Sequence, residues 1–185
     1  MSAAGRVLKI VAVGDGFVGK TSLLITHTAG AYSEEYVPTV FENYAGNLTV
    51  DGVEYNYTLM DTAGQEEFDR VRILCYNGAS AFIVCFAVNS PTSLANVKTQ
   101  WLPEIRKECG ETVPVVLVGT KSDLRSTSTD TMVKRAEARK VARACKMYNY
   151  VECSAKAMTG CTEVFEEAVR SVVNPQDHWK QCPLL

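Results

Sequence analysis

Three short clusters hold residue types at spacings that could do chemistry. The first is Gly14-Asp15-Gly16-Phe17-Val18-Gly19-Lys20-Thr21, followed by Ser22, which fits G-x-x-x-x-G-K-[ST] directly after the apolar run Val7–Val13. Glycines let the chain curl so that successive N–H groups face one anion, and the positive end of a following helix adds to their pull. Lys20 then supplies charge to the outer phosphates of a nucleotide, and the Thr21 hydroxyl offers a ligand for Mg²⁺. The second cluster, Asp61-Thr62-Ala63-Gly64-Gln65, lies 40 residues beyond Thr21. Asp61 can hold Mg²⁺ through water, Gly64 can present a backbone N–H to a terminal phosphate, and Gln65 can orient an attacking water.

The third cluster pairs Gly119-Thr120-Lys121-Ser122-Asp123 with Cys153-Ser154-Ala155-Lys156. A carboxylate at Asp123 accepts from both N1–H and the 2-amino group of guanine, two donors that adenine does not offer together, while the Lys121 stem can cover the ring. The phosphate loop alone leaves adenine and guanine nucleotides open, and kinases as well as switches. This third cluster turns the expectation toward guanine.

The elements that must position these clusters follow from the apolar pattern. Val7–Val13, Tyr55–Met60, Ala81–Val88 and Val113–Val118 read as buried strands separated by segments of helical period, which predicts an α/β sheet. Each reactive cluster then sits at the carboxyl end of a strand, where open α/β sheets bind ligands. Asp51-Gly52, between Leu48-Thr49-Val50 and Val53–Tyr57, reads as the tight turn of an antiparallel hairpin. Asn89-Ser90-Pro91 reads as a helix start, with Leu94, Val97, Trp101 and Ile105 on one face and a kink at Pro103. Val164/Phe165, Ala168/Val169 and Val172/Val173 form the packing stripe of a last helix, and beyond Asn174-Pro175 the pattern stops in a tail expected to be flexible.

Composition narrows the rest. With 185 residues, 46% of them hydrophobic, the chain can bury one core, and we expect one domain. Its 19 Lys+Arg against 21 Asp+Glu give no broad positive field, which argues against nucleic-acid binding. The start of the chain has no apolar signal core and no apolar run is long enough to span a bilayer, so a cytoplasmic protein is expected. Seven cysteines without a C-x-x-C pair are expected to be reduced thiols, apart from Cys182.

Taken together, these clusters resemble the Ras superfamily of small GTPases over nearly the whole chain. Tyr36-Val37-Pro38-Thr39-Val40-Phe41-Glu42-Asn43-Tyr44, Gln65 to Arg72, and Trp101-Leu102-Pro103-Glu104-Ile105 narrow the resemblance to Rho/Rac-like members. The resemblance implies a P-loop GTPase domain over residues 1–174: a mostly parallel six-stranded sheet with one antiparallel hairpin strand and helices on both faces. It implies Lys20, Thr39 and Gln65 in catalysis, and Thr21 and Thr39 as Mg²⁺ ligands. It places Asp15 to Ser22, Tyr32, Tyr36, Thr39, Asp61, Gly64, Lys121, Asp123, Ser154, Ala155 and Lys156 around GTP or GDP. It makes residues 36–44 the effector surface, and brings exchange factors, GTPase-activating proteins, a dissociation inhibitor and effectors as partners, with control of the actin cytoskeleton as output.

Some positions depart from the pattern. Thr120 stands where most GTPases have Asn, which leaves open a side-chain tie between the base loop and the phosphate loop. Tyr32 stands where Phe is usual, and the segment after Arg125 is too short and too uncharged for the extra helix most Rho proteins carry. The mechanism expected is in-line attack of water on the terminal phosphate, slow without a partner because residues 31–44 hold no arginine. A GTP-locked binding module that does not hydrolyse is the alternative, against which Gln65, Gly16 and Gly64 argue. A small-molecule kinase would need an arginine-rich lid that is not seen. Residues 175–185 form the tail, and its Cys182-Pro183-Leu184-Leu185 fits C-a-a-X, so Cys182 is expected to carry a geranylgeranyl group that attaches the protein reversibly to the cytoplasmic face of membranes. Since Lys180 is the one formal cation between Ser171 and Gln181, the tail by itself leads to an expectation of weak dependence on anionic lipid.

Overall fold

A strand buried on both faces must be nearly continuous in apolar residues, and Leu8–Gly14 (β1) is such a strand, with Lys9 near its start the one charge and only half-buried. In the computed structural model, which describes residues 7–32, 41–65, 68–127 and 132–175, it lies in the middle of one six-stranded sheet. Phe41–Val50 (β2), Val53–Thr62 (β3), Ala81–Ala87 (β4), Val115–Thr120 (β5) and Asn149–Glu152 (β6) complete the order β2-β3-β1-β4-β5-β6. Every neighbouring pair is parallel except β2 with β3. That pair is the expected hairpin: Val50 faces Val53, and Asp51 and Gly52 both have positive φ, 51° and 80°, the signature of a turn whose twist suits the strands.

The pleat of β1 divides the core. Leu8, Ile10 and Ala12 point to one face, where Lys20–Ala29 (α1) and Cys161–Val173 (α6) bring Leu23, Leu24, Val164, Phe165, Ala168 and Val169. Val11 and Val13 point to the other, against Leu94, Val97, Trp101, Ile105, Ala138 and Ala142. These come from Pro91–Asn96 (α3), Leu102–Cys109 (α4), Arg135–Ala144 (α5) and the π-helical turn Val97–Trp101. Asp69–Leu74 (α2) follows β3.

Helix α3 starts as expected, with the Ser90 hydroxyl accepting from Ser93 N–H and Pro91 in the first turn. A kink is expected at Pro103, and the helix is indeed irregular just ahead of it. It widens over Val97–Trp101, where Leu102 N–H bonds Val97 O, and Pro103 falls in the first turn of α4. Proline has no N–H to offer the carbonyl four residues back, and the wider turn ahead of it absorbs that loss. After β5 a 3-10 turn, Ser122–Thr127, is followed by α5, with no helix between them among the described residues. Cys75, Cys85, Cys109, Cys145, Cys153 and Cys161 are free thiols, as expected. No described helix is long and apolar enough to cross a membrane.

Candidate nucleotide-binding site

The carboxyl ends of β1, β3, β5 and β6 deliver all three clusters to one edge of the sheet. At the end of β1 the chain turns at Gly14, whose φ is 140° and whose Cβ, had it one, would stand 2.2 Å from Cys85 O. The loop then reaches Gly19, which caps α1 without any side-chain hydrogen bond. The first N–H groups of α1 therefore have no capping side chain and face the loop's concavity, the arrangement that binds phosphate. Lys20 is buried and folds back over the loop, its Nζ donating to Gly14 O and Asp15 O, both at 2.8 Å. Burial pulls its pKa down, while the carboxylates of Asp61 and Asp15 oppose that shift.

Two residues of the loop do not behave as the motif suggests. The Asp15 carboxylate turns away from the loop's concavity and accepts from Trp101 Nε1 at 2.6 Å and Asn96 Nδ2 at 2.8 Å, so its share in an anion site is backbone. Phe17 has φ 62° and its ring is directed outward, 68% exposed. A Cβ placed on Gly16 would meet nothing within 4 Å.

The end of β3 supplies the second cluster. Thr21 Oγ1 donates to Asp61 Oδ2 at 2.6 Å, and Asp61 is fully buried. A hydroxyl and a carboxylate brought together beside a phosphate loop are the hard oxygen donors that Mg²⁺ takes, and the residues fit the ion. Gly64 lies against the loop itself, since its Cβ would stand 2.4 Å from Gly14 O and 2.5 Å from Gly16 N. Gln65 follows, half-buried.

Sequence reasoning missed what holds this cluster in place. Arg72, on α2, is 1% exposed; it gives two bonds to the Glu104 carboxylate, a third to Ala63 O at 3.2 Å, and stacks 4.8 Å over the Trp101 ring. Tyr76 donates to the same carboxylate, at 2.5 Å. The sign visible beforehand was Glu104, a charge next to the apolar face of its helix.

The third cluster is tied to the first. Lys121 Nζ donates to Phe17 O at 2.7 Å, and the Thr120 hydroxyl lies 2.5 Å from Val18 O and 3.0 Å from Phe86 O. The tie left open by the Thr120 substitution is thus present, with a hydroxyl in place of an amide. Asp123 Oδ1 accepts from the Ser154 hydroxyl at 2.5 Å, and Ala157 N–H donates to that hydroxyl, so one loop aims the other's carboxylate. Tyr32, Ser22, Lys121, Asp123, Ala155 and Lys156 line a cleft of about 180 Å³, the size and place of a purine. Behind it, Glu152 is gripped by Arg125, Arg135 and Tyr150, which holds its carboxyl below the usual range. Replacing Thr120 by Val should remove the hydroxyl donor at nearly constant volume; the loss of one buried bond, about 1 kcal/mol, should speed nucleotide release about fivefold. Stopped-flow release of a fluorescent GDP analogue measures it, and an unchanged rate would show that Lys121 alone joins the loops.

Of the expected effector surface, Glu42, Asn43 and Tyr44 lie on β2, with Glu42 opposite Asp61 in the register and Tyr44 donating to the Glu42 carboxylate. Phe41 is in the same strand. Tyr36, Val37, Pro38, Thr39 and Val40 lie outside the described residues, as does Cys182.

A phosphate loop, a metal-ready Thr–Asp pair and a carboxylate aimed at a purine cleft define a guanine-nucleotide-binding P-loop domain. The sequence profile of the Ras family matches residues 9–174, and the chain belongs to that family: it is a small GTPase, a GTP-binding switch that hydrolyses its nucleotide. It is 51% identical over 182 residues to the Ras-like GTP-binding protein RhoL of Drosophila melanogaster, an alignment covering 97% of this chain and 95% of that one.

Proposed function

We propose that this GTPase is a Rho-type switch, which engages effectors through residues 36–44 when GTP is bound and releases them after hydrolysis. The likeness to a protein named RhoL and the Rho-like segments around Tyr36–Tyr44 and Trp101–Ile105 support the subfamily. The cross-loop bonding of Thr120 and Lys121 to Val18 and Phe17 carries the switch reading, because it makes base recognition and phosphate binding one rigid unit. Mg²⁺, held by Thr21 and Thr39 with Asp61 behind a water, would neutralise charge on the outer phosphates. Lys20 supports the same charge, Gly64 N–H reads the terminal phosphate, and Gln65 orients the water. Exchange factors, activating proteins and a dissociation inhibitor would set the timing, actin organisation would be the output, and a geranylgeranyl group on Cys182 would give reversible membrane attachment.

Replacing Gln65 by Leu tests the chemistry. GTP binding should be nearly unchanged while single-turnover phosphate release slows about tenfold or more, because a poorly placed water loses proximity and not affinity. Equal release rates in the two proteins would remove Gln65 from the mechanism.

A further inference from the structure

The thiols of Cys75 and Cys109 donate to nearby carbonyls, Val71 O at 3.3 Å and Tyr76 O at 3.7 Å. Cys153 and Cys161 are arranged differently. Their side chains are hydrogen-bonded to each other, and Cys161 Sγ in turn lies 3.5 Å from Ser154 O and 3.7 Å from Thr159 O. Cys153 follows β6 and lines the purine cleft, while Cys161 opens α6. Between them runs the base loop, residues 154–160, closed at its neck by two backbone bonds between Ser154 and Thr159. Nothing in the nucleotide chemistry uses this pair of thiols.

The two sulfurs are suited to different halves of one reaction. Cys161 holds the first position of α6, where Gly160 caps the helix without a side-chain bond and the unpaired N–H groups favour a negative charge. The bond from Cys153 also holds the Cys161 thiol below its usual range, and the same bond, with burial, raises Cys153 well above it. Cys85, on β4, is wholly buried, and burial pushes its thiol up to about 12, so it remains a thiol. The backbones are already close, since a Cβ on Gly160 would stand 3.1 Å from Cys153 Cα. Both cysteines are buried, so the way in is the cleft that a bound base covers.

We propose that Cys153 and Cys161 form a disulfide in response to hydrogen peroxide, and that this bridge loosens the hold on guanine. The Cys161 thiolate attacks one oxygen of the peroxide, the O–O bond breaks, and the departing hydroxide takes up the proton that Cys161 released. Cys153 then gives up its proton and attacks the Cys161 sulfenic acid; the S–O bond breaks and a second water leaves. One peroxide is reduced to two waters as two thiols become one disulfide. The effect on guanine follows from what is fixed around the pair. Cys153 N–H donates to Gly119 O at 2.9 Å, its carbonyl accepts from Ser122 N–H at 3.1 Å, and Val164, Phe165 and Ala168 hold α6 in the core. Drawing two sulfurs from contact to a bond of about 2 Å must therefore be taken up by the loop between them. Its first residue is Ser154, whose hydroxyl aims Asp123 at the base. The inference rests on the guanine cleft and is independent of the Rho-type reading.

The test treats the full chain with hydrogen peroxide, blocks the remaining thiols with iodoacetamide and follows release of a fluorescent GDP analogue. Trypsin cuts after Lys156, between the two cysteines, so the bridge is read by mass spectrometry as two linked peptides. Release should speed about tenfold in the oxidised protein, through loss of one bond to a carboxylate, and dithiothreitol should restore the slow rate. Because such coupling is reciprocal, saturating GDP should favour the reduced pair by the same factor and raise its reduction potential by about 30 mV. Cys161→Ser keeps a donor for Ser154 O; it should give no linked peptide and release GDP equally fast with and without peroxide. Absence of the linked peptide from the oxidised parent would overturn the proposal. So would a linked peptide with unchanged release, or a peroxide effect that persists in Cys161→Ser, which assigns the response to another thiol. If that variant does not fold, the parent decides alone: linked peptide and fast release must rise together with peroxide and fall together under dithiothreitol, and release that changes without the peptide refutes the link.

Discussion

Asp123→Asn should exchange the protein's preferred base, with GTP weakened and xanthosine triphosphate bound in its place. Ser154 Oγ reaches Asp123 Oδ1 at 2.5 Å, so an asparagine keeps its carbonyl toward that hydroxyl and turns its amide hydrogens toward the base. Guanine N1–H then meets a donor. Each buried unmatched group costs about 1–3 kcal/mol, and two are involved, so the preference should move by about one and a half decades or more. The oxygen that xanthine carries in place of the 2-amino group accepts the new donor. Competition of the two triphosphates for the purified variant measures the shift, and a variant that still prefers GTP would put the base elsewhere than the cleft beside Tyr32.

Gly64→Ala should leave nucleotide binding largely intact and nearly abolish hydrolysis. The added methyl would stand 2.4 Å from Gly14 O, against an ordinary contact near 3.4 Å, and its other close neighbours are backbone atoms of Asp15 and Gly16. Backbone cannot swing aside as a side chain does. The segment Ala63–Gln65 must instead move off the phosphate loop by about 1 Å, a displacement large enough to cost on the order of 10² in rate when it misplaces the group that positions the water. Single-turnover phosphate release against GTP affinity separates the two effects. Loss of both together would mean that the glycine shapes the loop rather than the chemistry, and unchanged hydrolysis would mean that the contact gives way freely.

Much of this was open to reading from the residues alone, for a physical reason. A phosphate loop needs glycines, a lysine and a hydroxyl in consecutive positions; a tight hairpin needs positive φ at Asp51 and Gly52; a helix start needs Ser90 before Pro91. Such demands are local, so composition and spacing pointed to the fold class, to a guanine nucleotide and to the residues expected to handle it. What tertiary structure alone decided rests on contacts between residues far apart in the chain. Thr120 meets Val18 across 102 positions and Trp101 meets Asp15 across 86, and no local pattern records either. The burial of Arg72 depends on Glu104, 32 positions away, because a charge is buried only where the fold brings its partner to it.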